Sequence, residues 1–314
     1  MDYAEQPVRE SSNFQSNSME LTESLNSLHF QLSDGRQLEY YLFGDDSGSP
    51  VLYNHGMPGS AVEAATLDHV FKQHGLKVIC PNRPGVGKST ASDNYCLEQI
   101  TSDSLELLDH LECKTVSVIG WSSGGVPSLW QAKRAKHRVA QVILLSSYSH
   151  FSEFDQAPFR HAGQASWLKH LTLKTPVLSQ WMFAITGYIA NYLPKLYHQL
   201  MVKQCHTHDV DILDSNPAYC DVLLTAQRDT FTHSASSLFK DLVSQFQTWP
   251  FYLNSINCPV TIFQGDSDPF VPERVGQHLA DCLPNAEYNL LSGQGHLYWL
   301  EKSFQYRLAR LCQL

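Results

Sequence analysis

The run Gly120-Trp121-Ser122-Ser123-Gly124 sets a serine between two glycines, directly after the apolar stretch Thr115–Ile119 and directly before a helical pattern. A hydroxyl at such a point can attack a carbonyl, because a sharp strand-to-helix turn lifts it clear of a sheet edge. The same turn brings strand and helix close together, and Gly120 and Gly124 carry no Cβ to collide. A helix start also aims free N–H groups and its positive dipole end at the charge developing on a carbonyl oxygen. Ser122 is therefore the candidate nucleophile. Gly-x-Ser-x-Gly alone recurs by chance; the strand before it and the helix after it give it meaning.

An activated serine needs a base, and the base needs an orienting acid. Val260–Phe263 reads as a buried strand running into Gly265-Asp266-Ser267-Asp268-Pro269, a loop with two carboxylates. Ala286–Leu291 then runs into Ser292-Gly293-Gln294-Gly295-His296. Among 15 histidines, His296 is distinguished by its place after the last strand and by its flanking glycines. The chain order Ser, Asp, His suits a strand–turn–helix nucleophile, although spacing alone leaves both Asp266 and Asp268 open as the acid. Nearer the start, Val51–Asn54 leads into His55-Gly56-Met57-Pro58-Gly59, where glycines such as Gly56 let the backbone turn. The N–H of Met57, with that of Ser123, would form an oxyanion hole.

Eight short strands are expected to position these loops: Leu28–Leu32, Gln37–Phe43, Val51–Asn54, Leu76–Cys80, Thr115–Ile119, Val139–Leu145, Val260–Phe263 and Ala286–Leu291. Helical patterns run over Ala61–His74, Leu97–Leu111, Gly124–His137, Arg274–Cys282 and Phe304–Leu314. An Asp34-Gly35 hairpin followed by strand–helix alternation predicts an α/β fold, a mostly parallel sheet with helices on both faces. From Ser149 to Trp249 no strand pattern is visible and apolar residues recur at helical spacing, over a length too great for a loop. The expected organisation is an N-terminal arm (1–26), a sheet domain (27–148 and 250–314) and an inserted helical cap (149–249). Thr175–Pro194 carries no charge, but Ser179, Gln180, Thr186 and Asn191 interrupt it, so a cap helix is expected there rather than a membrane span. Of the cap aromatics Phe151, Phe154, Phe159, Trp167, Trp181, Phe183, Tyr188, Tyr192, Tyr197 and Phe231, most are expected to pack the cap and some to line an apolar pocket over the serine.

A net charge of −9 without a basic cluster argues against nucleic-acid binding. The polar stretch Met1–Asn26 lacks the basic start and apolar core of a signal peptide, and eight scattered cysteines without a CxxC pair read as reduced thiols. A cytoplasmic protein is expected. Gly87-Lys88-Ser89 imitates the end of a Walker A loop, but Asn82 stands where its first glycine should be. Cys205-His206-Thr207-His208-Asp209 lacks the spacing of a known zinc motif and reads as a polar cap segment. The expected partner is a small-molecule substrate, with no metal, no organic cofactor, no nucleic acid and no stable membrane insertion; the oligomeric state is not legible.

Taken together, His55-Gly56-Met57-Pro58, Pro84-Gly85-Val86-Gly87-Lys88-Ser89, Gly120-Trp121-Ser122-Ser123-Gly124, Gly265-Asp266-Ser267-Asp268 and Gly295-His296 resemble the α/β-hydrolase superfamily in order and spacing. The resemblance spans about Leu28 to Leu314. It implies the α/β-hydrolase fold, with an eight-stranded, mostly parallel sheet and an inserted helical cap. It further implies Ser122 as nucleophile, His296 as base, Met57 and Ser123 as oxyanion donors, and Asp268 as acid, chosen over Asp266 by the family's G-x-x-D pattern. Dehalogenases and epoxide hydrolases resemble this chain too, but use Asp at the elbow. The expected reaction is cleavage of a small, apolar carboxylic ester, thioester or lactone through an acyl-enzyme on Ser122. Hydrolysis of a C–C bond or an amide on the same residues is the alternative, as is a non-catalytic member of the fold that binds a small molecule.

Overall fold

The computed structural model describes residues 25–150 and 163–313, the side chains of 163–167 excepted. Nearly all of the N-terminal arm, and Phe151, Phe154 and Phe159, therefore lie outside the described residues. Eight strands form: β1 (Leu28–Gln31), β2 (Gln37–Gly44), β3 (Ser49–Asn54), β4 (Leu76–Pro81), β5 (Val116–Trp121), β6 (Val139–Leu145), β7 (Val260–Gly265) and β8 (Ala286–Leu291). They make one sheet in the order β1-β2-β4-β3-β5-β6-β7-β8. Only β2 runs against its neighbours, pairing antiparallel with β1 and β4; the other five pairings are parallel.

Parallel strands covered on both faces read as continuous apolar runs rather than alternating ones, and β5 is buried at all six positions. Its side chains divide between two cores. Val116 and Val118 pack with Leu107, Leu108 and Leu129 on one face, from α2 (Leu97–His110) and α3 (Gly125–Arg134). Ile119 and Trp121 pack with Val70, Phe71 and Leu308 on the other, from α1 (Asp68–Gln73) and a C-terminal helix described below. The expected helix over Ala61–His74 opens as a 3-10 segment, Ala61–Leu67, and becomes α-helical only in α1. The expected Gly124–His137 helix starts one residue later, because Ser122–Gly124 form a tight 3-10 turn.

Strand order fixes where loops meet. β3 connects through α1 to β4 on one side, whereas β5 connects through α3 to β6 on the other. The chain thus reverses its winding direction between β3 and β5, the position at which open α/β sheets leave a crevice beyond their carboxyl ends. The register Asn54↔Gly120 sets the loop after β3 beside the elbow after β5. Gly265↔Leu291 does the same for the loops carrying Asp268 and His296.

Between β6 and β7 the described residues hold six α-helices: α4 (Gly163–Lys174), α5 (Pro176–Tyr192), α6 (Pro194–Val202), α7 (Thr207–Ser215), α8 (Pro217–Asp229) and α9 (Ser236–Phe246). α10 (Glu273–Cys282) and α11 (Lys302–Cys312) complete the chain. Prolines at the first turns of α5, α6 and α8 separate consecutive helices, since proline fits where the N–H would lack an intrahelical partner. Among the described residues no helix is long and apolar enough to cross a membrane.

Candidate active site

Ser122 stands at the turn from β5 into α3 with φ +52°. The left-handed region costs a non-glycine residue about 1–3 kcal/mol, so the surroundings must hold it there. A Cβ on Gly120 would lie 2.6 Å from Gly125 Cα and 2.7 Å from the Gly124 carbonyl. One on Gly124 would run into the Asn54 carbonyl. Both glycines are thus required by close approach, as the sequence suggests. A buried polar chain stitches β3 to α3 beneath the turn. Asn54 Nδ2 donates to Ser128 Oγ (2.8 Å) and Gln131 Oε1 (2.9 Å), and Ser128 Oγ donates to the Gly124 carbonyl (2.8 Å).

His296 Nδ1 lies 2.7 Å from Asp268 Oδ2, with both residues buried. The other oxygen, Oδ1, accepts the N–H groups of Phe270 (2.8 Å) and Val271 (2.9 Å). This carboxylate is therefore locked in orientation. Asp266 is exposed and faces elsewhere, accepting from Ser267 Oγ (2.8 Å) and the Gly293 N–H (2.9 Å). It staples the two loops together without touching the imidazole. Burial opposes protonation of His296, but the Asp268 carboxylate outweighs it and holds the imidazole above its usual value near 6.5.

Asp209 is a participant that the sequence does not reveal. It belongs to the Cys205–Asp209 run, read above as a polar cap segment, and it is fully buried. Its carboxylate accepts the N–H groups of His296 (3.0 Å) and Leu297 (2.8 Å) across 87 and 88 residues of chain. A Cβ on Gly295 would collide with it. An inserted helix thereby grips the histidine loop, and its charge adds to that of Asp268 in favouring protonated His296.

The loop after β3 is held from two sides. Glu63, buried, accepts the Gly56 N–H (2.8 Å) and the Tyr53 hydroxyl (3.0 Å). Burial pushes its carboxyl up to about 8, so it is largely neutral at pH 7. On the carbonyl side, Arg83 Nη2 donates to the carbonyls of His55 and Gly56 and to Ser123 Oγ (3.3 Å). Arg83 Nη1 meets Asp241 of α9 at 2.6 Å, and Asp241 also accepts from Tyr95 (2.7 Å) and Gln245 (2.7 Å). Gly59 N–H donates to Thr230 Oγ1 (2.7 Å) and Ser60 Oγ to Asp229 (2.9 Å), at the end of α8.

Ser122 and His296 line one cavity, together with Met57, Trp121, Tyr148 and Phe270; it contains about 780 Å³ of empty space, part of it open to solvent. The inserted helices contribute Met201, Val202, Leu213, Leu223 and Leu224. This corrects one expectation. None of the described cap aromatics named above lines the cavity; Phe183, Tyr197 and Phe231 are buried in the core, while Trp181, Tyr188 and Tyr192 are exposed. The aromatic stripe of α5 faces out, and α6–α8 line the cavity mainly with aliphatic side chains, joined by His198, Cys220 and Gln227.

Residues 49–303 match the model of the α/β hydrolase fold family. The chain belongs to the α/β-hydrolase fold family. Similar members are found along nearly the whole length. An uncharacterized hydrolase, YcgS, of Bacillus subtilis (strain 168) is 26% identical over 269 residues, which cover 86% of this chain and 91% of that protein. A 2-hydroxy-6-oxononadienedioate/2-hydroxy-6-oxononatrienedioate hydrolase of Cupriavidus pinatubonensis (strain JMP 134 / LMG 1197) is 24% identical, covering 90% of this chain and 93% of its own. Among solved structures, an esterase (EaEST) from Exiguobacterium antarcticum superposes with a TM-score of 0.68 at 17% identity, over 92% of this α/β-hydrolase chain and 100% of the other.

The Asp209 contacts carry a pH prediction. With His296 as the expected base, which must be neutral to take a proton, activity should fall as pH drops through its raised value. Removing a neighbouring negative charge lowers that value. Asp209→Asn should therefore move the acid limb of kcat/KM to lower pH and cut the plateau about tenfold, as the His296 loop loses one acceptor. An unmoved acid limb in a folded variant would refute the role. The linkage to stability has the opposite sense to activity. Because the folded protein favours protonated His296, this pair's stabilisation is complete below about 6.5 and is lost as pH rises through the folded value.

Proposed function

We propose that this protein is a serine hydrolase that cleaves a small, apolar carboxylic ester, thioester or lactone. The observation that carries the reading is that Ser122, at a backbone turn of positive φ, shares a largely apolar cavity with a His296–Asp268 pair joined at 2.7 Å. Ser122 Oγ attacks the carbonyl carbon while its proton passes to His296 Nε2, and Asp268 holds Nδ1 protonated. The N–H groups of Met57 and Ser123 receive the oxyanion. Collapse expels the alcohol, thiol or ring oxygen with the proton from His296, leaving the acyl group on Ser122. Water then repeats the sequence, with His296 again the base, and releases the acid.

The inserted helices act as the cap that closes the acyl pocket. No Lys or Arg is among the described residues lining it. A dicarboxylate, such as the substrate in the name of the Cupriavidus relative, would thus meet no ammonium or guanidinium partner there, which favours the neutral ester over the C–C bond alternative. A pocket walled by Met201, Val202, Leu213 and Leu223 discriminates by buried area. With about 0.8 kcal/mol per methylene, kcat/KM should rise about fourfold per added CH₂ from acetyl to butyryl or hexanoyl esters, then level off. A series of p-nitrophenyl esters measures this. A preference for acetyl or for charged acyl groups would reject the apolar pocket, and a panel without any turnover, from protein that takes no fluorophosphonate adduct, would reject the hydrolase reading itself.

A further inference from the structure

Among the described residues, nothing packs on the outer face of α5. Val177, Leu178, Trp181, Ile185, Tyr188 and Tyr192 are 57–71% exposed. Their spacing puts them on one side of the helix, opposite the buried Ser179, Phe183, Gly187 and Ala190. Leu196 and Leu200 extend the surface onto α6. Monomeric proteins seldom expose an apolar surface of this kind unless something covers it.

The charge around this surface says what covers it. The chain as a whole carries −9, yet from 156 through 208 it contains no Asp or Glu. Exposed Lys174 and Lys195 bracket the α5 stripe, and exposed Lys203 stands one turn beyond Leu200. On the helices packed behind α5, Asp229 and Asp241 are engaged inward with Ser60 and Arg83, and Asp221 of α8 is buried near His198 of α6. At physiological salt the acidic remainder of the molecule is screened beyond about 8 Å, so this surface acts as a local cation. An apolar stripe with tryptophan and tyrosine, edged by lysines and free of acids, has the composition of a helix lying in a lipid–water interface. In a symmetric dimer through the same face, the lysines of one copy would confront those of the other.

We infer that the α5–α6 face docks on the surface of a phospholipid bilayer bearing anionic headgroups, lying on it and not spanning it. α6 also contributes His198, Met201 and Val202 to the cavity, so docking sets the Ser122 pocket about one helix diameter, 10–12 Å, behind the interface. The binding itself stands independently of the ester reading; only the delivery of acyl esters from lipid to pocket rests on it.

Sedimentation of the full chain with vesicles provides the test. It should partition onto phosphatidylcholine vesicles containing one-third phosphatidylglycerol at least about tenfold more strongly than onto pure phosphatidylcholine, and high salt should erase the difference. Trp181→Gln with Ile185→Gln should weaken partition on the order of a hundredfold, while hydrolysis of a short water-soluble ester stays unchanged. Lys174→Glu with Lys203→Glu should remove the preference for the anionic vesicles. No sedimentation with either vesicle, equal partition onto both, or undiminished binding by the Trp181/Ile185 variant would overturn the proposal. So would concentration-dependent dimerisation in analytical ultracentrifugation that this variant abolishes, which would give the face to a second copy.

Discussion

Ser122→Ala should remove nearly all turnover, about a thousandfold or more in kcat, with little change in thermal stability. Ser122 is the proposed nucleophile and the elbow serine that lines the cavity, and what remains after losing a nucleophile is the weak catalysis of the oxyanion donors and binding. Alanine too carries a Cβ at φ +52° and so neither adds nor relieves backbone strain there, and the fold should be neither rescued nor lost. The neighbour supplies the contrast. Ser123 is assigned its backbone N–H, which alanine keeps, and Ser123→Ala loses only the 3.3 Å contact from Arg83 to its hydroxyl. A several-fold effect is expected there. Mass-spectrometric mapping of a fluorophosphonate adduct tests the same assignment without kinetics, and an adduct on Ser123 would end it.

The second large effect is expected at Asp268. Asparagine can keep the two backbone bonds now made by Oδ1 to Phe270 and Val271, so the loop should stay in place. Its amide would then face His296 Nδ1, 2.7 Å from the present Oδ2, with a donor where an acceptor is needed. The imidazole is forced into the tautomer carrying its proton on Nε2, which cannot accept one from Ser122. A loss on the order of a thousandfold or more in kcat/KM should follow, and the acid limb set by the charged pair should shift down. Asp266→Asn breaks contacts to Ser267 and Gly293 at an exposed site and should cost far less. Steady-state kinetics beside circular-dichroism melting separates chemistry from folding; the opposite ranking in two folded variants would reverse the assignment of the acid.

What the sequence makes legible follows the range of the interactions. The elbow can be read because its demands are local: an apolar run, glycines at two contact points and a helix all lie within a dozen residues. The pairing of Asp268 with His296 is readable as an order of loops, since parallel strands deliver their carboxyl ends to the same edge. Asp209, Arg83 and Asp241 are not. Asp209 reaches the His296 loop across 87 residues and Arg83 pairs with Asp241 across 158, and a lone Asp in a helical pattern carries no mark that separates a solvated face from a buried bond. Periodicity likewise reveals an aromatic stripe over Thr175–Pro194 without saying which side faces the site. The cavity is lined instead from α6–α8, mainly by aliphatic side chains with His198 and Gln227 among them.

Three carboxylates from the inserted helices reach into the sheet portion: Asp209 to the His296 loop, Asp229 to Ser60 and Asp241 to Arg83. They make the insertion hard to exchange by recombination. Removing one partner of a buried ion pair typically costs 3–5 kcal/mol, because the other charge is left stranded. A chimera that trades α7–α9 for the helices of a relative would strand Arg83, a side chain 4% exposed, unless the donor segment brings its own aspartate to that spot. Substrate range in this lineage should therefore drift through point changes at cavity-facing positions such as Met201, Leu213 and Leu223, while whole-segment replacement stays rare.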